Sequence, residues 1–549
     1  MPPATSVSTP VLIAGAGPAG LALALTLLKN GISVRILDKN LEYHVGQRAI
    51  GTSPRTQEVW NLLGVLPDIK AASTTPKPVS VYKLPGGREV VKEVTIKMET
   101  EPTPAIPYWH TVILGQEHTE TILRSHLAKH GCDVELGAEL ISFEQHPDHV
   151  TAQVRKVQDG STETVTCHWL VGTDGAKGIV RKLLGLTFWG ETREEHQQLL
   201  VDLHLKGLNR EVRGFYLFIR PTEYNDDSFN MIGSANGLDI TKIVEDPKEL
   251  TAFVRASTDR DDIEIGKIKW ISQYRPVQTG DGKIPNIRMV NKFGKGRVFV
   301  AGDFPAGGQG MNSSIQDSFN LGWKLALVEK GLASPYLMST YNDERLPVIA
   351  KMLNISTDLF DRAIADTADE SAWDRSGQLL QLGIHYRWSP IVIDERAEAG
   401  DDLKSANPYG VTGGAVRAGD RAPDAPGLRG IEDLDATTSL FRVFGPSYHT
   451  ALIFAPRGEA LESLLAALKR YPMKALRIAL IVPKDGAVPS TVNVDLILSD
   501  EEGHAYTGYG VGNDGAMMVI VRPDGVIGGF LQSAEGVGRY FDRLFGTSI

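Results

Sequence analysis

The chain has 549 residues, of which 42% are hydrophobic and 23% are charged, and its formal net charge is −10. This composition is typical of a large globular protein with about two to four domains. The acidic balance and the lack of a basic cluster exclude a nucleic-acid partner. No apolar run reaches the length of a membrane span, and no signal peptide is expected. With only two cysteines, Cys132 and Cys167, a reducing, cytoplasmic location is the simplest expectation, although a bridge between them stays open.

The first motif, VLIAGAGPAG followed by LALALTLLKN, predicts a strand, a tight turn and a helix. Gly15 permits the turn, Gly17 lets the main chain approach a pyrophosphate, and Gly20 allows the helix to pack closely on the strand. A second predicted strand, ISVRILDK, ends at Asp38 and Lys39, where an acid that binds ribose hydroxyls is expected. An accidental glycine turn is the alternative, but the ordered strand, helix, strand and acid favour a bound dinucleotide.

The second motif, LVGTDG, ends a strand that is predicted to be buried. Asp174 and Gly175 follow that strand, so the carboxylate is expected at a sheet edge that faces a crevice. Taken alone, an Asp-Gly pair is most often an ordinary turn.

The third motif, VFVAGDFPAGGQGMN, joins another apolar strand to Asp303, a glycine loop and a helix. The helix is predicted to begin near Ser313 or Ser314, because Ser314 and Asp317 have capping-box spacing. A helix N-terminus after a glycine loop suits the anionic edge of a reduced flavin, and a nicotinamide needs no such partner. The three motifs together therefore favour FAD.

With these motifs the chain resembles the single-component, FAD-dependent aromatic hydroxylases, a family that includes p-hydroxybenzoate hydroxylase and phenol 2-monooxygenase. The similarity extends to GQRAIGTSPRTQEVWNLLGV, ILGQEHTETILRSHL and NLGWKLALV. The resemblance implies that Arg48 and Gln116 contact FAD, and that Asp174-Gly175 also serves NAD(P)H. The complete set of expected cofactor-binding residues is Gly15, Gly17, Gly20, Asp38, Lys39, Arg48, Gln116, Asp174, Gly175, Asp303, Gly308, Gly310, Met311 and Asn312.

The resemblance also implies the chemistry. NADPH or NADH would reduce FAD, O₂ would form a C4a-hydroperoxyflavin, and the distal oxygen would pass to an aromatic, phenolic substrate. The protein's task is to keep the pocket dry and to aim the substrate. Pro305 and Gly307 are expected beside the flavin ring, with their main chain on the substrate side.

Two departures from the family pattern leave alternatives open. About five residues are missing after Asp303, where relatives carry a longer segment before the glycine loop, and each extended residue spans roughly 3.3 Å. A flavin-poor, catalytically impaired protein kept for binding is therefore one alternative. Ile50 stands where phenol hydroxylases carry a catalytic aspartate, and Ile50 cannot take a proton. An epoxidase or a Baeyer–Villiger oxygenase on the same fold is the other alternative.

Alternating runs such as QQLLVDLHLKG, GFYLFIRPTE and FNMIGSANG predict an antiparallel sheet with one ligand-facing side. Tyr216 and Arg220 lie at i and i+4 on one of these strands, so they are predicted to share a face and to orient a phenolate or carboxylate. The alternative is an exposed amphipathic strand face. No histidine or cysteine pattern indicates a metal site.

The predicted fold is α/β with a discontinuous, doubly wound FAD-binding domain and an interleaved substrate domain. A C-terminal α/β domain resembles the thioredoxin-like domain of many such hydroxylases; it lacks cysteine, and a packing or homodimerisation role is expected. Its predicted strands include LFRVFG and TALIFAP. The predicted boundaries are 1–77, 110–186 and 286–364 for the FAD-binding domain, 78–109 and 187–285 for the substrate domain, 365–426 for a helical or linker segment, and 427–549 for the C-terminal domain.

Overall fold

The computed structural model has three large sheets, and helices pack against each of them. The residues that the structure describes are 7–191, 198–208, 217–224, 227–233, 239–274, 278–279, 282–283, 287–302, 309–364, 374–397, 407–410, 414–431, 437–454, 459–484, 486, 492–512 and 516–546. Among them, no helix is both long enough and apolar enough to cross a membrane.

The strands in chain order are β1 (Val7–Ala14), β2 (Val34–Asp38), β3 (Gly51–Thr52), β4 (Val79–Tyr82), β5 (Val90–Val94), β6 (Val112–Ile113), β7 (Val134–Leu136), β8 (Ala138–Gln145), β9 (Val150–Lys156), β10 (Thr162–Gly172), β11 (Phe188–Glu191), β12 (Gln198–Lys206), β13 (Leu217–Pro221), β14 (Ser228–Gly233), β15 (Glu264–Tyr274), β16 (Gln278–Thr279), β17 (Gly282–Lys283), β18 (Ile287–Val290), β19 (Gly294–Lys295), β20 (Val298–Val300), β21 (Ile393–Asp394), β22 (Leu428–Gly430), β23 (Thr437–Thr438), β24 (His449–Phe454), β25 (Leu476–Pro483), β26 (Leu496–Asp500), β27 (Met517–Val521) and β28 (Ile527–Leu531).

The helices are α1 (Pro18–Lys29), α2 (Pro54–Leu62), α3 (Leu66–Ala72), α4 (Gln116–Ala128), α5 (Ile179–Leu183), α6 (Ile240–Glu245), α7 (Pro247–Thr258), α8 (Gly310–Glu329), α9 (Ser339–Ile364), α10 (Leu440–Val443), α11 (Glu459–Leu468), α12 (His504–Tyr509) and α13 (Ala534–Phe545). Short 3-10 helices span Pro335–Met338, Gly377–Leu380 and Met473–Ala475.

The first sheet has the order β19-β20-β10-β1-β2-β7, and β9 and β8 continue from β10. Strands β20, β10, β1, β2 and β7 run parallel, so their carboxyl ends meet at one edge. The strands of all three motifs end at this edge. Doubly wound folds bind ligands at such an edge.

The second sheet is antiparallel with the order β13-β14-β12-β15. One face packs against α6 and α7 through an apolar cluster that includes Leu199, Val201 and Leu203. Because side chains alternate along a strand, Asp202 lies on the opposite face. The predicted antiparallel sheet is confirmed.

The third sheet lies in the C-terminal part of the chain, with the order β21-β28-β27-β24-β25-β26-β22-β23. The predicted α/β fold class is confirmed, while the thioredoxin-like assignment and the domain boundaries stay predictions. The prediction of a strand at LFRVFG is wrong, because Leu440–Val443 form α10. The amide of Phe441 donates to Asp424 Oδ1 (2.8 Å) and the amide of Leu440 donates to the carbonyl of Ala425, so tertiary contacts override the β propensity of the segment.

A fully buried group of charges joins the turn between β27 and β28 to α8 and α9, and we term it the buried junction. Arg522 donates to both carboxylate oxygens of Glu344, at 2.7 and 2.9 Å, and also to Asp524. Lys324 Nζ donates to Glu344 at 2.7 Å, and Trp323 Nε1 donates to Asp524 at 3.1 Å. Burial lowers the pKa of Lys324 to about 8. Burial opposes ionisation of Glu344, but Arg522 and Lys324 more than offset it and hold its pKa well below the usual range.

Candidate cofactor site and active site

The turn after β1 is shaped by glycines in three different ways. Gly15 has a φ of +108°, and a Cβ there would lie 2.5 Å from the carbonyl oxygen of Thr173. A Cβ on Gly20 would lie 2.1 Å from the carbonyl oxygen of Gly15, so α1 can pack this closely only with glycine. A Cβ on Gly17 would meet nothing within 4 Å. The main chain at Gly17 therefore borders open space, as a pyrophosphate cradle requires.

Asp38 ends β2 beside this turn. Its Oδ2 accepts a hydrogen bond from the amide of Ala16 (3.1 Å), and its Oδ1 accepts from the amide of Asn40 (2.9 Å). These contacts fix the carboxylate at the rim of the glycine turn, next to Lys39 in the chain. The arrangement fits the predicted ribose-binding acid.

Asp174 follows β10 at the same edge. Its Oδ2 accepts from the amides of Ile179 (2.6 Å) and Val180 (3.2 Å) at the start of α5. Burial raises the pKa of Asp174, and these two amide groups act in the opposite direction. Gly175 takes a φ of +73°, a left-handed conformation that glycine adopts without strain. The Asp-Gly pair is therefore an ordered turn whose carboxylate is held by main-chain amides.

The start of α8 differs from the prediction. The helix begins at Gly310, with Gln309 as its N-cap residue, and Ser314 lies inside it. The predicted capping box is wrong because Asp317 accepts from Arg345 Nε at 2.5 Å, while the Ser314 hydroxyl donates to the carbonyl of Met311. A buried arginine outcompetes a local cap for this carboxylate.

Asn312 and Met311 lie in the first turn of α8 and are nearly inaccessible. The Asn312 carboxamide accepts from the amide of Ser53 and donates to the carbonyl of Gly51, both at 2.9 Å. Asn312 thus ties α8 to β3 and to the start of α2. Its role in the structure is to place the helix terminus, and its side chain is occupied by protein partners.

A cavity of about 660 Å³ opens at the carboxyl edge of the first sheet. This volume lies within the ~300–1,000 Å³ typical of ligand pockets. The predicted residues that line it are Gly15, Gly17, Asp38, Lys39, Arg48, Gln116, Asp174 and Gly175. Gly302 of the third motif and Ser314 of the helix that follows it complete the wall. The structure thus brings all three motifs to one cavity, and its main-chain cradle, acids and cation fit FAD. Asp303, Pro305, Gly307, Gly308 and Tyr216 lie outside the described residues.

Arg220 lies on the second sheet and is only 6% exposed, so the alternative of an exposed strand face is wrong for this residue. It stands in a cross-strand row with Asn230 on β14, Asp202 on β12 and Trp270 on β15, which are neighbours in register. We term these four residues the polar row. Residues opposite one another in antiparallel strands share a face, so the row crosses the sheet on the side away from α6 and α7.

The polar row faces the segment that carries Arg48. Arg220 donates to Gln47 Oε1 and pairs with Glu223 at 3.2 Å, and Gln47 Nε2 donates to Glu223 at 2.9 Å. The Arg48 guanidinium lies 5.7 Å from the ring centroid of Trp270. Gln47 therefore contacts the sheet, and its neighbour Arg48 lines the cofactor cavity.

Sequence reasoning missed two residues of this region. Asp202 interrupts an otherwise apolar run in β12, and a lone acid in such a run is a signal of a buried polar role. Its carboxylate accepts from Asn230 Nδ2 at 2.7 Å, and burial raises its pKa. Glu120 follows Gln116 by one helical turn, so both side chains project from the same face of α4 into the cavity.

Comparison with known proteins agrees with this geometry. The family described as "FAD binding domain" matches residues 8–356, which is more than half of the chain. A flavin-dependent monooxygenase from Mycobacteroides abscessus is 36% identical over 552 residues, covering 97% of this chain and 99% of that protein. Pentachlorophenol 4-monooxygenase from Sphingobium chlorophenolicum is 29% identical, covering 77% of each chain.

Solved structures show the same fold. The flavin-dependent monooxygenase PieE in complex with FAD and substrate has a TM-score of 0.77 at 22% identity, covering 98% of this chain and 100% of that chain. A ternary complex of aklavinone-11 hydroxylase with FAD and aklavinone has a TM-score of 0.76 at 24% identity, covering 98% and 99%. The family match over the cofactor cavity and the full-length similarity to a monooxygenase lead to one conclusion: the chain belongs to the FAD-binding family and is a flavin-dependent monooxygenase.

Proposed function

We propose that the chain uses NAD(P)H and O₂ to hydroxylate an aromatic, phenolic compound, and that the polar row forms the wall that holds this substrate beside the flavin. The observation that carries the proposal is that the neighbouring residues Gln47 and Arg48 connect the polar row to the cofactor cavity. One residue of this pair contacts Arg220 in the row, and the other lines the cofactor cavity. A substrate on the row would thus lie next to the cofactor.

The polar row offers both a donor and an acceptor. Arg220 Nε and Asn230 Oδ1 are buried and have no hydrogen-bond partner among the described residues. Buried polar atoms are normally satisfied, so a pair of free ones on the same face supports a ligand there. A phenol or phenolate oxygen can accept from the guanidinium, and a second polar group of the substrate can donate to the amide oxygen.

Asp202 is the residue we assign to hold the phenolic proton. It neighbours Asn230 in the row, and burial raises its pKa, which makes it a stronger base than an exposed aspartate. Ile50 cannot perform this step, so the chain needs a proton acceptor elsewhere. Arg220 would stabilise the negative charge that develops on the substrate oxygen.

FAD, when bound, supplies the redox chemistry with NAD(P)H and O₂. The residues of this chain bind the dinucleotide at the glycine turn, orient the substrate against the sheet and keep water from the space between them. The names of relatives support the aromatic class: one acts on pentachlorophenol, and another, from Streptomyces rimosus, is a 6-methylpretetramide 4-monooxygenase.

The test is oxidation of NADPH and NADH by the FAD-loaded protein with a panel of simple and polycyclic phenols in isotopically labelled O₂. The expected result is substrate-stimulated oxidation and one labelled oxygen in a new ring hydroxyl. Labelled epoxide or lactone would favour the alternative oxygenases. A protein that binds no flavin, or that makes only hydrogen peroxide with every phenol, would contradict the proposal.

A variant sharpens this test. Arg220→Met is expected to raise the KM for the best phenol by about 10-fold or more, since a hydrogen bond to a charged group contributes about 1.5–3 kcal/mol. The affinity for FAD should stay within about threefold. Arg255→Met is the matched control, because Arg255 is exposed on α7, on the other side of the second sheet from the polar row.

A further inference from the structure

Glu120 is a carboxyl group built into the wall of the cofactor cavity. It is only 2% exposed. Its Oε1 accepts from Gln116 Nε2 at 2.8 Å, and its Oε2 lies 3.7 Å from Arg124 Nη1. The contact with Glu120 orients the Gln116 carboxamide by holding its amide nitrogen, and the amide oxygen accepts no hydrogen bond from the part of the chain that the structure describes.

The charges that act on Glu120 come from several elements. Asp38 at the end of β2 repels the ionised carboxylate, while Arg124 on α4 and Arg48 before β3 attract it. The other titratable or charged side chains that line the cavity are Lys39, Glu42, Tyr43, His44, Glu139, Asp174, Lys177 and Lys182. Burial is the largest influence and raises the pKa of Glu120 to about 7. Burial lowers the pKa of His44, which disfavours the charged form of this histidine.

A dinucleotide brings further negative charge into the same space. The pyrophosphate of FAD is a dianion, and added negative charge in the cavity that Glu120 lines would favour the neutral form of this buried carboxyl group. The neutral acid still accepts from Gln116 through its carbonyl oxygen, and its O–H becomes a hydrogen-bond donor. The protonated form therefore suits the occupied site better than the carboxylate does.

We propose that Glu120 is a proton-linked binding group of the FAD site, which receives the dinucleotide as a neutral carboxylic acid and takes one proton from solvent when FAD binds at alkaline pH. The proposal rests on the FAD site and is independent of the oxygenation reaction. Proton linkage sets the direction of the pH dependence. Below about pH 7 the free protein already carries the proton on Glu120, so the Kd for FAD does not change with pH. Above about pH 7 the Kd for FAD rises by up to about tenfold per pH unit.

The experiment is a titration of the flavin-free protein with FAD at pH 6 and pH 8.5, in which flavin fluorescence reports binding. Glu120→Gln mimics the neutral acid, and the exposed Glu144→Gln is the matched control outside the cavity. We expect the wild-type and Glu144→Gln Kd to rise about tenfold or more between the two pH values. The Glu120→Gln Kd should match wild type at pH 6 and change by less than about threefold at pH 8.5.

Calorimetry in two buffers of different ionisation enthalpy gives an independent readout. At pH 8.5 the wild type should take up close to one proton per FAD, and Glu120→Gln should take up none.

A wild-type Kd that does not change with pH, or a Glu120→Gln protein that keeps the pH dependence, would overturn the proposal. So would loss of FAD affinity by Glu120→Gln at pH 6, since the negative charge would then be what binding needs. If wild type and Glu144→Gln bind no FAD at either pH, the cofactor site itself fails, and this proposal fails with it.

Discussion

The cofactor cavity and the buried junction both contain carboxylates and cations, but they differ in what surrounds those charges. In the junction, the side chains of Glu344 and Arg522 are 0% exposed and are joined by paired hydrogen bonds. In the cavity, Asp38, Arg48 and Glu120 border about 660 Å³ of open space. A charge that protein partners neutralise stabilises one arrangement of the chain, whereas a charge that borders open volume is available to a ligand.

Substitutions in the glycine turn are expected to affect the cofactor cavity most strongly. Gly20→Ala is expected to weaken FAD binding about 100-fold or more and to destabilise the protein, because its Cβ would lie 2.1 Å from a main-chain oxygen. Gly17→Ala has room and a permitted φ of −75°, so the flavin-free protein should keep its stability. Its methyl group would nevertheless obstruct the approach of the pyrophosphate, and the Kd for FAD should rise about tenfold. Fluorescence titration and thermal melts measure both. Equal effects of the two variants would contradict the account.

The next largest effect is expected in the buried junction. Arg522→Met should lower the free energy of unfolding by about 3–5 kcal/mol, because it leaves Glu344 and Asp524 buried with too little positive charge. The Kd for FAD of the folded variant should stay within about threefold. Arg539→Met is the control, since its side chain is 51% exposed in an ion pair with Glu395 and should cost less than about 1 kcal/mol. Chemical denaturation gives the first number, and flavin fluorescence gives the second. An Arg522→Met protein that keeps its stability but no longer binds FAD would contradict a purely stabilising role for the buried junction.

The smallest expected effect concerns acid stability. The pKa of Glu344 is lowered in the folded state, so its contribution is present above the unfolded value of 4.5 and is lost as the pH falls. Between about pH 4.5 and pH 3, the wild type should lose about 1–2 kcal/mol more than Glu344→Gln does. Denaturation curves at several pH values measure this difference. Parallel curves for the two proteins would show that Glu344 does not titrate between the two states.

The glycine turn of the cofactor site can be predicted from the sequence because its geometry depends on the main chain. Gly20 is required by the carbonyl oxygen of Gly15, and Gly15 by the main chain of Thr173 at the end of the neighbouring strand. The acid Asp38 ends the next strand along the chain. Such local requirements leave a pattern that can be read along the chain.

The buried junction and the pairings within the polar row depend on distant partners, so the sequence predicts a ligand-facing Arg220 but not the residues beside it. Glu344 and Arg522 are 178 residues apart, and neither has a local motif. Arg220, Asn230 and Asp202 become neighbours only through strand register. The capping error has the same origin, because Asp317 binds Arg345 from the next helix instead of capping its own.

The most direct measurement is titration of the flavin-free protein with FAD at pH 6, in which flavin fluorescence and the visible spectrum report binding. We expect saturable uptake of one FAD per chain, with clearly weaker binding by Gly17→Ala and unchanged binding by Arg539→Met. A protein that takes up no FAD, or a Gly17→Ala variant that binds as tightly as wild type, would contradict the assignment of this cavity as the flavin site.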